Sequence, residues 1–197
     1  MSRVHDMGGR FGDGPVKPDF GNKPVFEKEW HARVLALTIA SGFLGHWNLD
    51  ESRHVRECLS PKDYSRFSYY EKWLAGLVDI LVEKGVVTSK EVETLSPELV
   101  SANLVSRVLK PEEVLPSLAK GGPTKRESGP KALFEVGDSV ITCRAENKHV
   151  SGGHTRLPSY AAGKSGKIIS YNGNHVFPDM NAHQAGESPE PLYTVAF

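Results

Sequence analysis

A chain of 197 residues has room for one or two domains, and an apolar share of 39% beside a charged share of 24% excludes wholesale disorder. Its 24 lysines and arginines balance its 24 aspartates and glutamates, so no global basic field is available to gather nucleic acid or anionic lipid. Such a role would need a local patch.

Residues 1–25 carry Gly8, Gly9, Gly12, Gly14, Pro15, Pro18, Gly21 and Pro24, a density of breakers that no helix or central strand tolerates. They read as an extended arm, either loose or laid on another surface such as a second chain, because its backbone has few partners of its own. The segment also lacks the apolar core of a signal peptide, and no later stretch reaches the roughly 20 apolar residues that cross a bilayer. With only Cys58 and Cys143, far apart and outside any CxxC or Cys/His spacing, the chain reads as soluble and cytoplasmic.

Residues 26–119 read as a helical domain. From Phe26, Trp30, Val34 and Leu37 keep one apolar face, and Phe43 and Leu44 extend it to Gly45. Asn48-Leu-Asp-Glu51 and Ser68-Tyr-Tyr-Glu71 each place a polar cap three residues before an acid, the grammar of a helix start. Ser60-Pro61 ends one helix and opens another, since proline lacks only a donor that the first turn leaves unused. The helix from Tyr69 carries Trp73, Leu77, Ile80 and Leu81, and stops at Lys84-Gly85. Ser89 and Ser96-Pro97 open two shorter helices.

Residues 120–133, rich in glycine, proline and charge, read as a linker. After it the period changes to two. Phe134 and Val136 alternate, Gly137-Asp138 turns, Ser139 to Arg144 reads as a strand, and Gly166 to Tyr171 runs into the hairpin signal Asn172-Gly173. A last strand spans Leu192 to Phe197. Several short strands within residues 134–197 predict a small SH3-like β-barrel, incomplete at its C-terminus, and the fold class is α+β.

The sequence has no Walker loop, dinucleotide fingerprint, GxSxG elbow or HExxH. Gly163-Lys-Ser-Gly166 lies between strands instead of opening a helix, so it reads as a corner and not as a phosphate loop. Eight histidines are scattered, and no two share a helix face at ligand spacing, which argues against a metal held by this chain alone. From Phe134 onward five cations face six acids, no footprint for RNA.

Taken in order, Val4-His-Asp-Met-Gly-Gly9 with Gly12-Asp-Gly-Pro15, Pro24-Val-Phe26 with Glu29-Trp30, Asn48-Leu-Asp-Glu-Ser-Arg53, Tyr69-Tyr70-Glu71 with Val82-Glu-Lys-Gly85, and Gly153-His-Thr-Arg-Leu-Pro158 with Tyr160 and Gly163-Lys164 strongly resemble the β subunit of nitrile hydratase. The resemblance covers nearly the whole chain. It implies a lyase that adds water to a nitrile to give an amide, with a low-spin Co(III) or Fe(III) held by a partner α subunit. That subunit supplies a Cys-x-x-Cys-Ser-Cys claw, two of whose sulfurs are oxidised, and nothing like the claw occurs in this chain.

The two β-subunit arginines that hydrogen-bond the oxidised ligands fall, by the resemblance, on Arg53 and Arg156. Read from the residues alone, Arg53 is a helix-surface ion-pair partner of Asp50 or Glu57, and Arg156 a solvated loop cation. Tyr69 matches a tyrosine lining the family's substrate pocket, with Leu49 and Trp73 as its neighbours, and plain core packing is the alternative for Trp73. Cys58 and Cys143 read as buried small apolar residues. Family members continue past the Tyr193-Thr-Val195 strand, so the resemblance implies either a truncated chain or a small third chain that completes the barrel. The second reading is preferred because three-chain relatives exist, among them thiocyanate hydrolase and the nitrile hydratase of a nucleoside-antibiotic pathway. A non-catalytic SH3-like activator or interaction module is the reading from another class.

Overall fold

The protein was analysed as a computed structural model, which describes residues 24–97 and 102–197 together with 14, 15, 17, 18 and 21. The arm expected over residues 1–25 lies for the most part outside them. The described residues form two compact units, one within Lys17–Gly121 and one that groups Gly122–Phe197 with those of Met1–Val16. No helix among them is long and apolar enough to cross a membrane.

The first unit is helical. It contains α1 (Glu29–Gly42), α2 (Leu49–Glu57), α3 (Pro61–Arg66), α4 (Tyr69–Glu83), α5 (Ser89–Thr94), α6 (Ala102–Ser106) and α7 (Pro111–Lys120). The polar starts act as anticipated. Asn48 Oδ1 accepts from the N–H groups of Asp50 and Glu51, both at 2.9 Å, while Glu51 Oε2 accepts from the Asn48 N–H at 2.8 Å, so donors that α2 could not pair internally are satisfied. At α4 the Ser68 N–H donates to Glu71 Oε2 at 2.7 Å. The second oxygen of Glu51 meets Lys84 Nζ, just past the end of α4, at 3.0 Å. One buried carboxylate thus ties the start of α2 to the end of α4. Trp47, Leu77 and Ile80 form the core there, with Val55, Leu81 and Val86 packed on it.

α5 starts where expected, capped by Thr88, whose Oγ1 accepts from the Glu91 N–H at 3.1 Å. Ser96 and Pro97 are themselves not helical, residues 98–101, where a helix opening there would run, lie outside the described ones, and α6 begins at Ala102. α7 was not anticipated, although its start is conventional: Pro111 takes the first turn and the Lys110 N–H donates to Glu113 Oε2 at 3.0 Å.

The second unit is a four-stranded antiparallel sheet with one short helix: β1 (Lys125–Arg126), β2 (Ser139–Ile141), β3 (Ser165–His175), α8 (Pro178–Asn181) and β4 (Glu190–Ala196). β3 is the common partner. Lys167 pairs with both Ser139 and Ala196, and Asn174 with both Arg126 and Pro191, so β4 runs along one edge of β3 while β2 and β1 sit at the two ends of the other. β1, inside the stretch read as linker, is fixed by a fork-to-fork pair between the Arg126 guanidinium and the Glu187 carboxylate.

The sheet corrects three expectations. Phe134–Val136 is not a strand, because side chains take its N–H groups: the Leu133 and Phe134 N–H groups donate to the distant Tyr193 hydroxyl at 2.8 and 3.3 Å, and the Glu135 N–H to nearby Asp138 Oδ2 at 2.8 Å. β2 ends at Ile141 and not at Arg144: the Thr142 N–H still donates to the Lys164 carbonyl at 3.0 Å, but the Lys164 N–H returns to Thr142 Oγ1 at 2.9 Å, a side chain in the place of the next ladder carbonyl. Asn172-Gly173 does not turn the chain. It lies inside β3, where the register with β4 shifts between Tyr171 and Asn174, and Gly173 takes a φ of 93° that suits a bulge as well as a hairpin. The sheet is open, and the mixed α and antiparallel β composition is what the α+β expectation keeps.

Candidate functional site

In the helical unit the residues expected to carry function lie on α2 and at the start of α4. Arg53 Nη1 donates to Asp50 Oδ1 at 3.1 Å, the i,i−3 pair its spacing predicts. A guanidinium has five N–H donors, and Asp50 takes one of them among the described residues. Asp50 therefore orients Arg53 and leaves most of its fork to other acceptors.

Tyr69, at the first position of α4, is 64% exposed, and its ring lies 5.5 Å from that of Trp73 and 5.2 Å from that of Tyr70. Tyr70 continues the aromatic surface inward, stacking on buried His31 at 4.7 Å and approaching Phe26 at 5.8 Å. Tyr69 and Trp73 are thus brought together by one turn of helix. Trp73 is half-buried, so neither pure core packing nor free exposure describes it. Leu49, 62% exposed, opens α2 as an apolar side chain on the surface.

Sequence reasoning missed Arg56. Its guanidinium carbon lies 4.4 Å over the Trp73 ring, and its Nε donates to the Ser52 carbonyl at 2.8 Å. Burial, the largest influence, pulls its pKa below the usual arginine range. Spacing three beyond Arg53 was the only signal in the sequence. The same helix holds His54, raised to about 9 first by its contact with the Cys58 sulfur at 3.6 Å and then by Glu57, whose Oε2 is 3.6 Å from Nδ1. Cys58 and Cys143 are exposed thiols, not buried apolar residues.

In the sheet unit Arg156 sits in the long connection between β2 and β3. It is exposed, whereas Gly153, His154 and Thr155 immediately before it are buried. No carboxylate lies within ion-pair distance of it among the described residues. Asn147 organises this connection from within. Its Nδ2 donates to the carbonyls of His154 and Asp179 at 2.7 and 2.8 Å, and its Oδ1 accepts from the N–H groups of His149 and Val150 at 2.8 and 2.9 Å. The connection is therefore a built loop. Sequence reasoning missed Asn147, and a lone asparagine among charged and glycine residues offered no way to foresee four long-range and local bonds.

The chain thus presents one arginine from a capped helix beside an aromatic surface and another from a braced loop on an antiparallel sheet. The chain is similar to known proteins along its full length. Residues 1–120 match the family described as nitrile hydratase beta subunit, N-terminal, and residues 123–197 the family described as nitrile hydratase beta subunit, C-terminal. The chain is 41% identical over 197 residues to the nitrile hydratase subunit beta of Pseudomonas putida, covering 100% of this chain and 87% of that protein. It is 35% identical over 208 residues to the low-molecular weight cobalt-containing nitrile hydratase subunit beta of Rhodococcus rhodochrous, covering 100% and 88%. It is 34% identical over 206 residues to the cobalt-containing nitrile hydratase subunit beta of Pseudonocardia thermophila, covering 100% and 85%. The chain belongs to the nitrile hydratase β-subunit family.

Proposed function

We propose that this chain is the metal-free β-type subunit of a cytoplasmic enzyme that hydrates nitriles to amides, active only in complex with an α subunit bearing a Cys-x-x-Cys-Ser-Cys claw. The observation that carries the reading is the match of both family halves, in order, along the whole chain. The Co(III) or Fe(III) of the partner's claw supplies, when bound, the Lewis acidity that activates a nitrile or a water. The donor set of this chain suits that neighbour. Oxidised cysteine ligands expose negative oxygens, and Arg53 and Arg156 offer planar forks that stay charged at any working pH.

In this reading each guanidinium donates to those oxygens and holds the ligand set in shape, with Asp50 steadying Arg53 and the braced loop steadying Arg156. Tyr69, Trp73 and Leu49 line the substrate pocket, where an apolar wall receives the body of the nitrile and the Tyr69 hydroxyl meets its single acceptor nitrogen. The arm of residues 1–25 wraps the partner, residues 26–119 and 134–197 serve as helical and barrel domains joined by 120–133, and the interface is large and obligate. A small third chain that closes the sheet into an SH3-like barrel would add along the outer edge of β4, which no described strand occupies.

The test is co-expression with the neighbouring genes, followed by native mass spectrometry, metal analysis and an amide-release assay. A stable assembly with a claw-bearing chain, about one cobalt or iron per claw and hydration of nitriles is the expected result. Turnover of thiocyanate in place of nitriles would move the chain to that related enzyme, and a metal-free monomer without activity would leave an interaction module.

A further inference from the structure

The peptide unit at His154 is held on both sides. Its carbonyl accepts from Asn147 Nδ2 at 2.7 Å, and its N–H donates to His183 Nε2 at 3.0 Å, which fixes that ring nitrogen as the unprotonated one. Both partners tie this peptide to α8: Asn147, from the same connection, also binds the Asp179 carbonyl in that helix, and His183 reaches in from two residues past its end. The space is filled: a Cβ at Gly153 would lie 2.6 Å from His183 Nε2 and 2.7 Å from Asn147 Nδ2. The His154 side chain beneath is 0% exposed. Arg156, two residues on, is exposed at the end of this anchored stretch.

We propose that Asn147 and His183 are positioning residues for Arg156, clamping the backbone at His154 to α8 so that the guanidinium leaves the loop in one place. The proposal rests on the role given to Arg156 above. A loop outside the sheet ladder has no repeating bonds to hold it, and the site it serves tolerates errors well under an ångström. Two side-chain clamps on one peptide supply the missing constraint.

The test uses the full complex and four variants, His183→Leu, His183→Gln, Asn147→Asp and Arg156→Lys. His183→Leu removes the acceptor and is expected to lower kcat about 10-fold or more with KM within about twofold, while His183→Gln, which can place an amide oxygen at the same point, stays within about threefold of the parent. Asn147→Asp keeps both acceptor bonds, loses both donors and should resemble His183→Leu. In an Arg156→Lys background, adding His183→Leu should cost less than about twofold, because the two changes disable one device. An equal loss in both backgrounds, or no loss in either, overturns the proposal.

Amide exchange on the full chain alone separates the two claims. The His154 N–H should exchange about 10-fold faster in His183→Leu than in the parent or His183→Gln. Unchanged protection refutes the clamp even if nitriles are hydrated, and faster exchange in a complex that hydrates no nitrile refutes the proposed function while leaving the clamp standing. Where His183→Leu fails to assemble, Asn147→Asp against His183→Gln gives the same decision.

Discussion

The two units present an arginine by opposite means. Arg53 is borne by a helix whose start, ladder and neighbouring acid are all local in sequence, and Asp50 three residues away is enough to orient it. Arg156 is borne by an irregular connection whose form depends on residues up to 32 positions apart, as in the bond from Asn147 to Asp179. A side chain on regular structure inherits its position from the backbone ladder, whereas one on a loop must have its position built by side chains. The first kind should survive changes to its neighbours better than the second.

The sharpest way to break the comparison is to remove the arginines themselves. Arg53→Lys and Arg156→Lys should each lower nitrile hydration by about 100-fold with the complex still assembled, because an ammonium cannot reproduce a planar fork. Steady-state amide release beside native mass spectrometry checks this, and unchanged activity in either variant removes that residue from the site. Next in size is Asn147→Ala, which leaves two carbonyls and two N–H groups without their partner in a partly buried loop and should cost the sheet unit about 2 kcal/mol in urea unfolding. Glu51→Ala should cost the helical unit about 2 kcal/mol by the same measurement, through loss of the α2 cap and of the Lys84 pair together. If the Glu51 change moved Arg53 activity as much as the Asn147 change moves that of Arg156, the contrast between helix and loop would fail.

The smallest effect concerns pH. With the folded pKa of His54 raised to about 9 from a reference of 6.5, its contribution is complete below the reference value and is lost as the pH rises through about 9. Melting temperature should therefore fall across that window, and Cys58→Ala should flatten the fall because the sulfur is the largest cause of the shift. An NMR titration of the His54 ring that returned an ordinary midpoint would dismiss it.

What was legible in the sequence follows the same division. The caps at Asn48 and Ser68, the glycine after Lys84 and the apolar face of α4 are short-range signals, and each marked a real boundary. The family resemblance carried by scattered short motifs was equally readable and held along the whole chain. α7 was readable in principle, since Pro111 followed by two acids is a helix start, but it lies beside the linker and was overlooked. The sheet was harder. Asn172-Gly173 has the same local preference in a bulge as in a hairpin, and only the pairing of β3 with β4 on both sides of it, at Tyr171 and at Asn174, decides between them. Phe134–Val136 alternates as a strand should, yet the distant hydroxyl of Tyr193 claims the N–H groups of Leu133 and Phe134. The brace around Arg156 was invisible because none of its bonds to His154 or Asp179 leaves a periodic trace.

The carboxylate of Glu51 carries a consequence for how the helical unit comes apart. It accepts from the first backbone N–H before α2 and pairs with the ammonium just beyond α4, so fraying of either helix end forfeits a bond belonging to the other. The two helices should then open as a single cooperative block in native-state hydrogen exchange, with α2 protected well above what nine residues could sustain alone. In such a block, Arg53 and Trp73 lose their places at the same moment and never one at a time.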